Sequence, residues 1–172
     1  MKQSLNFGLY LKMVLNRSLT PGIKARESNE RDVSMNKKSY ISSSLIAPCG
    51  MNCGICMAYL REKNKCPGCN GSNEDKPVYC VKCRIKNCEI IKNNQSGFCF
   101  ECEKYPCSRL KQLDKRYKTK YGMSMIENLE NIKNFGLKKF IIEERIRWTC
   151  PECGGIICVH RGYCYQCGKR IK

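Results

Sequence analysis

The chain has 172 residues, with 32 basic residues against 15 acidic ones, sixteen cysteines and a single histidine. That length suits one domain or two small ones, and no run of 18 consecutive apolar residues offers a membrane-spanning helix. The formal net charge of +17 counts every thiol as neutral; sixteen thiolates around four divalent ions would lower it to about +9, still basic enough to favour RNA, DNA or acidic proteins as partners.

Residues 1–44 carry no cysteine. Leu5, Phe7, Leu9, Leu11 and Val14 make an apolar patch, but no small-residue cleavage site follows it, so it does not read as a secretory leader. Ser, Asn and charged residues dominate 16–40, which leaves too little apolar surface for a core. We expect 1–44 to be a disordered or upstream extension, with Met35 as the natural start.

Residues 45–108 read as a cysteine-rich metal-binding module. The cysteines fall as Cys49-x3-Cys53-x2-Cys56, Cys66-x2-Cys69, Cys80-x2-Cys83, Cys88, and Cys99-x2-Cys102-x4-Cys107. A Cys-x2-Cys turn lets two thiolates converge on one ion, and two such turns complete a tetrahedron. A disulfide framework is the competing explanation, and the lack of a secretory leader argues against it. Ile55 to Glu62 is expected as a short helix, Asn70 to Pro77 and Asn93 to Gly97 as polar loops.

From Ser108 the pattern turns helical. Leu110, Leu113, Tyr117 and Tyr121 recur at helical spacing, with Arg109, Lys111, Lys115, Arg116, Lys118 and Lys120 on the other faces. Gly122 is a stop and Ser124 a cap for a second helix bearing Ile126, Leu129 and Ile132; Gly136 breaks it, and a third runs from Leu137 to about Arg147. Residues 109–147 thus read as basic amphipathic helices linking two metal modules. The basic helix over 109–120, with Tyr105, Tyr117 and Tyr121 near it, is the expected contact for RNA or DNA through phosphate pairing and base stacking, or for a protein partner.

Residues 148–172 resemble a zinc ribbon. Cys150-Pro-Glu-Cys153 and Cys164-Tyr-Gln-Cys167 are the matched pairs, Gly154 and Gly168 suit the tight turns behind them, and Ile156, Ile157, Val159 and Gly162 to Tyr165 would supply strands. Cys158 and His160 lie between the pairs, so a set of Cys150, Cys153, His160 and Cys164 competes with the four-cysteine set.

The eleven earlier cysteines do not divide by four. One division groups Cys66, Cys69, Cys80 and Cys83, then Cys88, Cys99, Cys102 and Cys107; another groups Cys66, Cys69, Cys83 and Cys88 and frees Cys80. Either leaves Cys49, Cys53 and Cys56, which would recruit Cys158 or His160 to bind zinc or would hold an iron–sulfur cluster or do thiol chemistry. The triplet has the spacing found in radical-SAM enzymes, but the chain is too short for their barrel and lacks alternating βα units. No phosphate-binding loop, His-Glu-x-x-His or Gly-x-Ser-x-Gly motif is present, so the chain is not expected to be an enzyme.

The run Cys49-Gly50-Met51-Asn52-Cys53-Gly54-Ile55-Cys56-Met57-Ala58-Tyr59, followed by Cys66-Pro-Gly-Cys69, Cys83-Arg-Ile-Lys-Asn-Cys88, Phe98-Cys99-Phe-Glu-Cys102 and Tyr105-Pro106-Cys107-Ser-Arg-Leu110, resembles the prokaryotic cysteine-rich "domain of unknown function 3795". The resemblance covers about 45–122. It implies a cytoplasmic metal-binding protein and supplies no reaction. Its pattern does not usually require a cysteine at Cys80, which implies the set Cys66, Cys69, Cys83 and Cys88. The expectation is therefore a small irregular α+β protein folded around three or four zinc ions, non-enzymatic, with a nucleic-acid or protein partner; an iron–sulfur or thiol redox protein and a metal-buffering or delivery protein are the alternatives.

Overall fold

The structure, a computed structural model, describes residues 41–171; the expectations for 1–40, Met35 among them, lie outside the described residues. The chain begins with a helical turn at Ser43–Leu45 and a second at Cys53–Ile55. Short helices follow: α1 Met57–Leu60, α2 Val78–Val81 and α3 Glu89–Asn93, then a turn at Cys99–Glu101. Three longer helices come next, α4 Ser108–Tyr121, α5 Met125–Phe135 and α6 Leu137–Trp148. The helix expected over Ile55 to Glu62 is split at Cys56, whose extended backbone (φ −78°, ψ 137°) caps α1. Short helices are expected in this module, but α2 and α3 are not placed by sequence, because a single turn is too short to display a 3.6-residue repeat.

The longer helices start and stop where the sequence is punctuated. Gly122 closes α4, its N–H reaching the carbonyls of Lys118 and Tyr117. Ser124 Oγ accepts the Glu127 N–H at 3.0 Å and so caps α5. The same hydroxyl donates to Asp114 Oδ1 at 2.6 Å, and that oxygen also accepts the Ile126 N–H at 3.1 Å. A buried carboxylate from α4 thus sits at the amino end of α5, where the helix dipole favours it.

The α+β expectation is corrected: among the described residues no strand forms, and the protein is mostly helical. Pairing is confined to isolated antiparallel bridges, Ile46–Asn52, Thr149–Ile156, Ile157–Cys164 and Tyr163–Arg170. The reason is the density of cysteine turns. Each turn consumes the residues a ladder would need, so the terminal segment has ribbon-like reversals held by single bridges instead of strands.

The described residues fall in one compact unit, Lys38–Lys172. Ile41, Leu45, Ile46 and Ile55 from the module share a core with Leu129, Phe140, Ile141 and Trp148 from the helices and Ile157 and Val159 from the terminal segment. At about 1.5–3 kcal/mol for each large apolar side chain buried, this shared core makes the helices packed elements, not spacers. Polar ties reinforce it. Asn128 Nδ2 donates to the Gly50 carbonyl at 2.9 Å. Gly50 itself has φ +81°, and a Cβ there would lie 2.8 Å from the Met125 carbonyl oxygen and 2.9 Å from Leu129 Cγ. Glu144, almost fully buried, accepts from Asn52 Nδ2 at 2.9 Å and from Trp148 Nε1 at 3.1 Å. No helix among the described residues is long and apolar enough to cross a membrane.

Candidate metal centres

The carboxy-terminal cysteines are gathered by two turns with the same backbone pattern. In the first, the Cys150 N–H donates to Gly155 O at 2.7 Å and the Gly154 N–H to Cys150 O at 2.9 Å; in the second, the Cys164 N–H donates to Lys169 O at 2.9 Å and the Gly168 N–H to Cys164 O at 3.0 Å. Gly154 and Gly168 adopt matching left-handed conformations, φ +70° and +71°. An ion pair between Lys169 and Glu152 joins the two turns. The result is a quartet, Cys150, Cys153, Cys164 and Cys167, with all four sulfurs within 4.8 Å of one another. Cys150 and Cys167 Sγ are 3.8 Å apart, and Cys153 and Cys164 Sγ 3.5 Å. Four thiolates about 2.3 Å from one tetrahedral zinc stand about 3.8 Å from each other, so the quartet fits a single ion.

The local backbone also favours thiolate. The N–H groups of Gly155 and Gln166 point at Cys153 and Cys164 Sγ, both at 3.4 Å. Burial opposes ionisation of Cys150, yet the N–H groups of Cys153 and Glu152 and the neighbouring thiols bring its pKa down to about 7. Cys153 receives the Gly155 N–H, but burial and the other three thiols push it up to about 12. Cys150 thus gives up its proton more readily than Cys153, and a cation between them would favour the thiolate of both.

The eleven cysteines from Cys49 to Cys107 are arranged differently. Among the described residues, the terminal quartet is the single group of three or more histidine, cysteine or acidic ligand atoms that all fall within 4.8 Å of one another. The earlier cysteines instead line two cavities. The larger, about 600 Å³, is bordered by Cys49, Cys53 and Cys56 together with the pairs Cys66/Cys69 and Cys80/Cys83. The smaller, about 40 Å³, is bordered by Cys88, Cys99, Cys102 and Cys107. Cys80 therefore borders the same cavity as Cys66, Cys69 and Cys83, and Cys88 borders the other.

Short elements place the seven cysteines of the larger cavity. Asn52 Oδ1 accepts the Gly54 N–H at 3.0 Å and so shapes the turn that carries Cys53. The Cys69 N–H points at Cys53 Sγ at 3.3 Å. Lys76, a buried lysine, donates to Cys69 O at 2.9 Å, Gly71 O at 2.7 Å and Asn73 Oδ1 at 3.0 Å, which folds the polar loop back beneath the second pair. Burial pushes the Cys49 thiol well up and, although the Cys69 N–H works against it, the Cys53 thiol up to about 12; burial and then Cys66 take Cys80 to about 11. Buried thiols this close ionise together only with a cation among them.

The opposite wall of the larger cavity comes from α4 and the terminal segment. Leu113, Arg116, Tyr117, Lys120, Tyr121 and His160 line it. Tyr117, Tyr121 and His160 meet edge to face, with ring centroids 4.9–5.7 Å apart. His160 Nδ1 accepts the Met57 N–H at 3.3 Å, and its Nε2 faces the Tyr117 hydroxyl at 3.0 Å. With Nδ1 accepting, the neutral ring carries its proton on Nε2 and donates it to Tyr117. Burial, then the charge of Arg116, lowers the His160 pKa and keeps the ring neutral. Burial, then the proximity of Cys56 and Cys49, raises that of Tyr117.

Both nitrogens of His160 are thus engaged away from the terminal quartet. Cys158, fully buried, lies outside the quartet and both cavities. Sequence reading missed the wall. It saw Tyr117 and Tyr121 as an apolar stripe or stacking platform, and nothing in one dimension paired them with His160, some forty residues on. The signal was the exception in the stripe, two tyrosines where aliphatic residues would fill a core.

Residues 45–112, a stretch with all eleven of these cysteines, match the family model described as "Protein of unknown function (DUF3795)". No curated protein and no solved structure matches the chain.

Proposed function

We propose that this chain, whose residues 45–112 match the DUF3795 family model, is an iron–sulfur redox protein, with its working centre in the seven-cysteine cavity and a structural zinc in the terminal quartet. The observation that carries this reading is the contrast in sulfur spacing. The quartet closes to the dimensions of one ion, whereas seven cysteines surround about 600 Å³ with no three sulfurs mutually within 4.8 Å. A mononuclear thiolate site does not need that room, and a centre of several metal atoms does.

When bound, such a centre supplies one-electron chemistry, its potential set by hydrogen bonds to sulfur and by solvent exposure. The chain's own residues do the rest. The Cys69 N–H supports the sulfur of Cys53. Tyr117 and His160 hold one side of the chamber in a fixed orientation. Arg116 and Lys120, one turn apart at its edge, offset negative charge inside it. Anaerobically purified protein is expected to carry about one zinc per chain plus iron with matching acid-labile sulfide. Three or four zinc with no sulfide would overturn this reading and leave the all-zinc one.

A second reading, binding of RNA or DNA, draws on α4, whose Arg109, Lys111 and Lys115 are exposed. Lys118, an expected member of that face, is instead paired with Glu127 at 3.1 Å and Asp114 at 3.8 Å. Charge reversal of Lys111 and Lys115 is expected to weaken salt-sensitive binding and to flatten its salt dependence by about one unit for each lysine–phosphate pair removed; no binding by the wild type at low salt removes this reading.

A further inference from the structure

Cys88, Cys99, Cys102 and Cys107 border the smaller cavity and take no part in the larger one. Three elements bring them there. Cys88 stands at the amino end of α3, Cys99 and Cys102 frame a helical turn, and Cys107 stands at the amino end of α4. The Cys102 N–H closes that turn on Cys99 O at 3.1 Å, and the Cys99 N–H roots it in the module by donating to Pro48 O at 2.9 Å. Burial, then Cys107, Cys88 and Cys102 in that order, push the Cys99 thiol up to about 12, so the other three thiols of the set are the charges that weigh most on it.

The space that the four share is about 40 Å³. That is room for one ion and too little for a centre of several metal atoms and sulfides. Tetrahedral sets of four sulfurs suit zinc or iron–sulfur centres, and the room decides for zinc. Ile91 and Leu110, both buried, supply apolar walls, and Arg84 and Arg109 border the same space. Four thiolates around one divalent ion leave a net negative charge, which the two guanidinium groups oppose.

We infer that Cys88, Cys99, Cys102 and Cys107 hold a single zinc ion that ties the amino end of α4 to α3 and to the turn at Cys99–Glu101. Binding draws the sulfurs to the edges of about 3.8 Å that a tetrahedral thiolate site imposes. The site is separate from the centre proposed for the larger cavity, and it raises the zinc expected per chain from about one, in the terminal quartet, to about two.

The test is the zinc, iron and sulfide content of the full chain purified anaerobically. The wild type should carry two zinc ions per chain, and a single one overturns the inference. Cys102→Ser/Cys107→Ser should lose one zinc with iron and sulfide unchanged; a serine at the start of α4 remains a good helix cap, which favours an intact fold. Unchanged zinc in this variant, or loss of iron in place of zinc, overturns the inference. The result separates from that of the larger cavity. A wild type with three or four zinc and no sulfide sinks the iron–sulfur reading, yet the variant should still lose one zinc. Should the double variant not fold, Cys150→Ser/Cys164→Ser decides instead: without its terminal site the chain should keep one zinc beside its iron, and iron with no zinc overturns the inference.

Discussion

The terminal quartet and the seven-cysteine cavity are built from the same Cys-x2-Cys turns and end as different objects. In the quartet, two turns of matching backbone geometry face each other directly, and the sulfurs close to 3.5 and 3.8 Å. In the cavity, the turns are carried by separate short elements around a space that α4 and His160 complete from the far side. Identical local chemistry therefore gives a closed site in one place and a chamber in the other. What separates them is the scaffold beneath: a self-contained reversal in the first case, helices sharing a core in the second.

Removing the quartet should produce the largest effect. Structural zinc in small domains contributes about 10–16 kcal/mol of apparent binding free energy coupled to folding. Cys150→Ser/Cys164→Ser is expected to lose one metal ion per chain and to expose residues 149–171 to proteolysis, while metal held within residues 45–112 stays. Loss of all metal at once would show the two regions to be one cooperative unit.

Gly50→Ala should strike the chamber side. The new methyl would meet the Met125 carbonyl and Leu129 Cγ below 3.0 Å at φ +81°, so strain and overpacking together should cost about 3 kcal/mol. Gly97→Ala, also at positive φ but with nothing within 4 Å, should cost only about 1–2 kcal/mol. Denaturant midpoints of the pair separate close packing from backbone strain.

A smaller change, Tyr117→Phe, removes the hydroxyl that His160 holds at 3.0 Å. Stability should fall by about 1 kcal/mol, and any absorption band of a centre in the chamber should shift while the quartet's zinc content does not. An unshifted band would mean that the aromatic wall does not border the bound centre.

The smallest effect concerns the joint between the regions. Glu144 links Asn52 to Trp148, and burial raises its pKa despite the hydrogen bonds from both and the charge of Arg147. A raised carboxyl pKa means that the folded state holds its proton longer than the unfolded one. The associated stability is fully present below the ordinary glutamate pKa and is lost as pH rises through the folded value. Relative to Glu144→Gln, the wild type should therefore lose stability as pH rises across that window. Because both proteins carry the same cysteines, the difference cancels metal release; a difference independent of pH would show the carboxyl to titrate normally.

The quartet was readable from one dimension because each of its turns is local and the two are close in sequence. The helices were readable for the same kind of reason: Gly122, Ser124 and Gly136 act within one turn of themselves. The strands were misjudged because Ile156, Ile157 and Val159 have the right residue type but too little length between turns. The grouping of the eleven earlier cysteines was not legible, since equal spacings admit several partitions and the family resemblance pointed Cys88 toward Cys66 and Cys69.

By itself, then, the sequence determined that the chain carries cysteine turns suited to a metal ion, where its longer helices begin and end, and which cysteines gather in the terminal quartet, all consequences of interactions within a few residues. Only the tertiary structure shows which cavity each borders, Cys80 the chamber and Cys88 the smaller cavity with Cys99, Cys102 and Cys107, and that Tyr117, Tyr121 and His160 form one wall. Those placements follow from how α4, α5 and α6 pack on the cysteine module, through hydrogen bonds between residues as far apart as Asn52 and Glu144, which no spacing along the chain encodes.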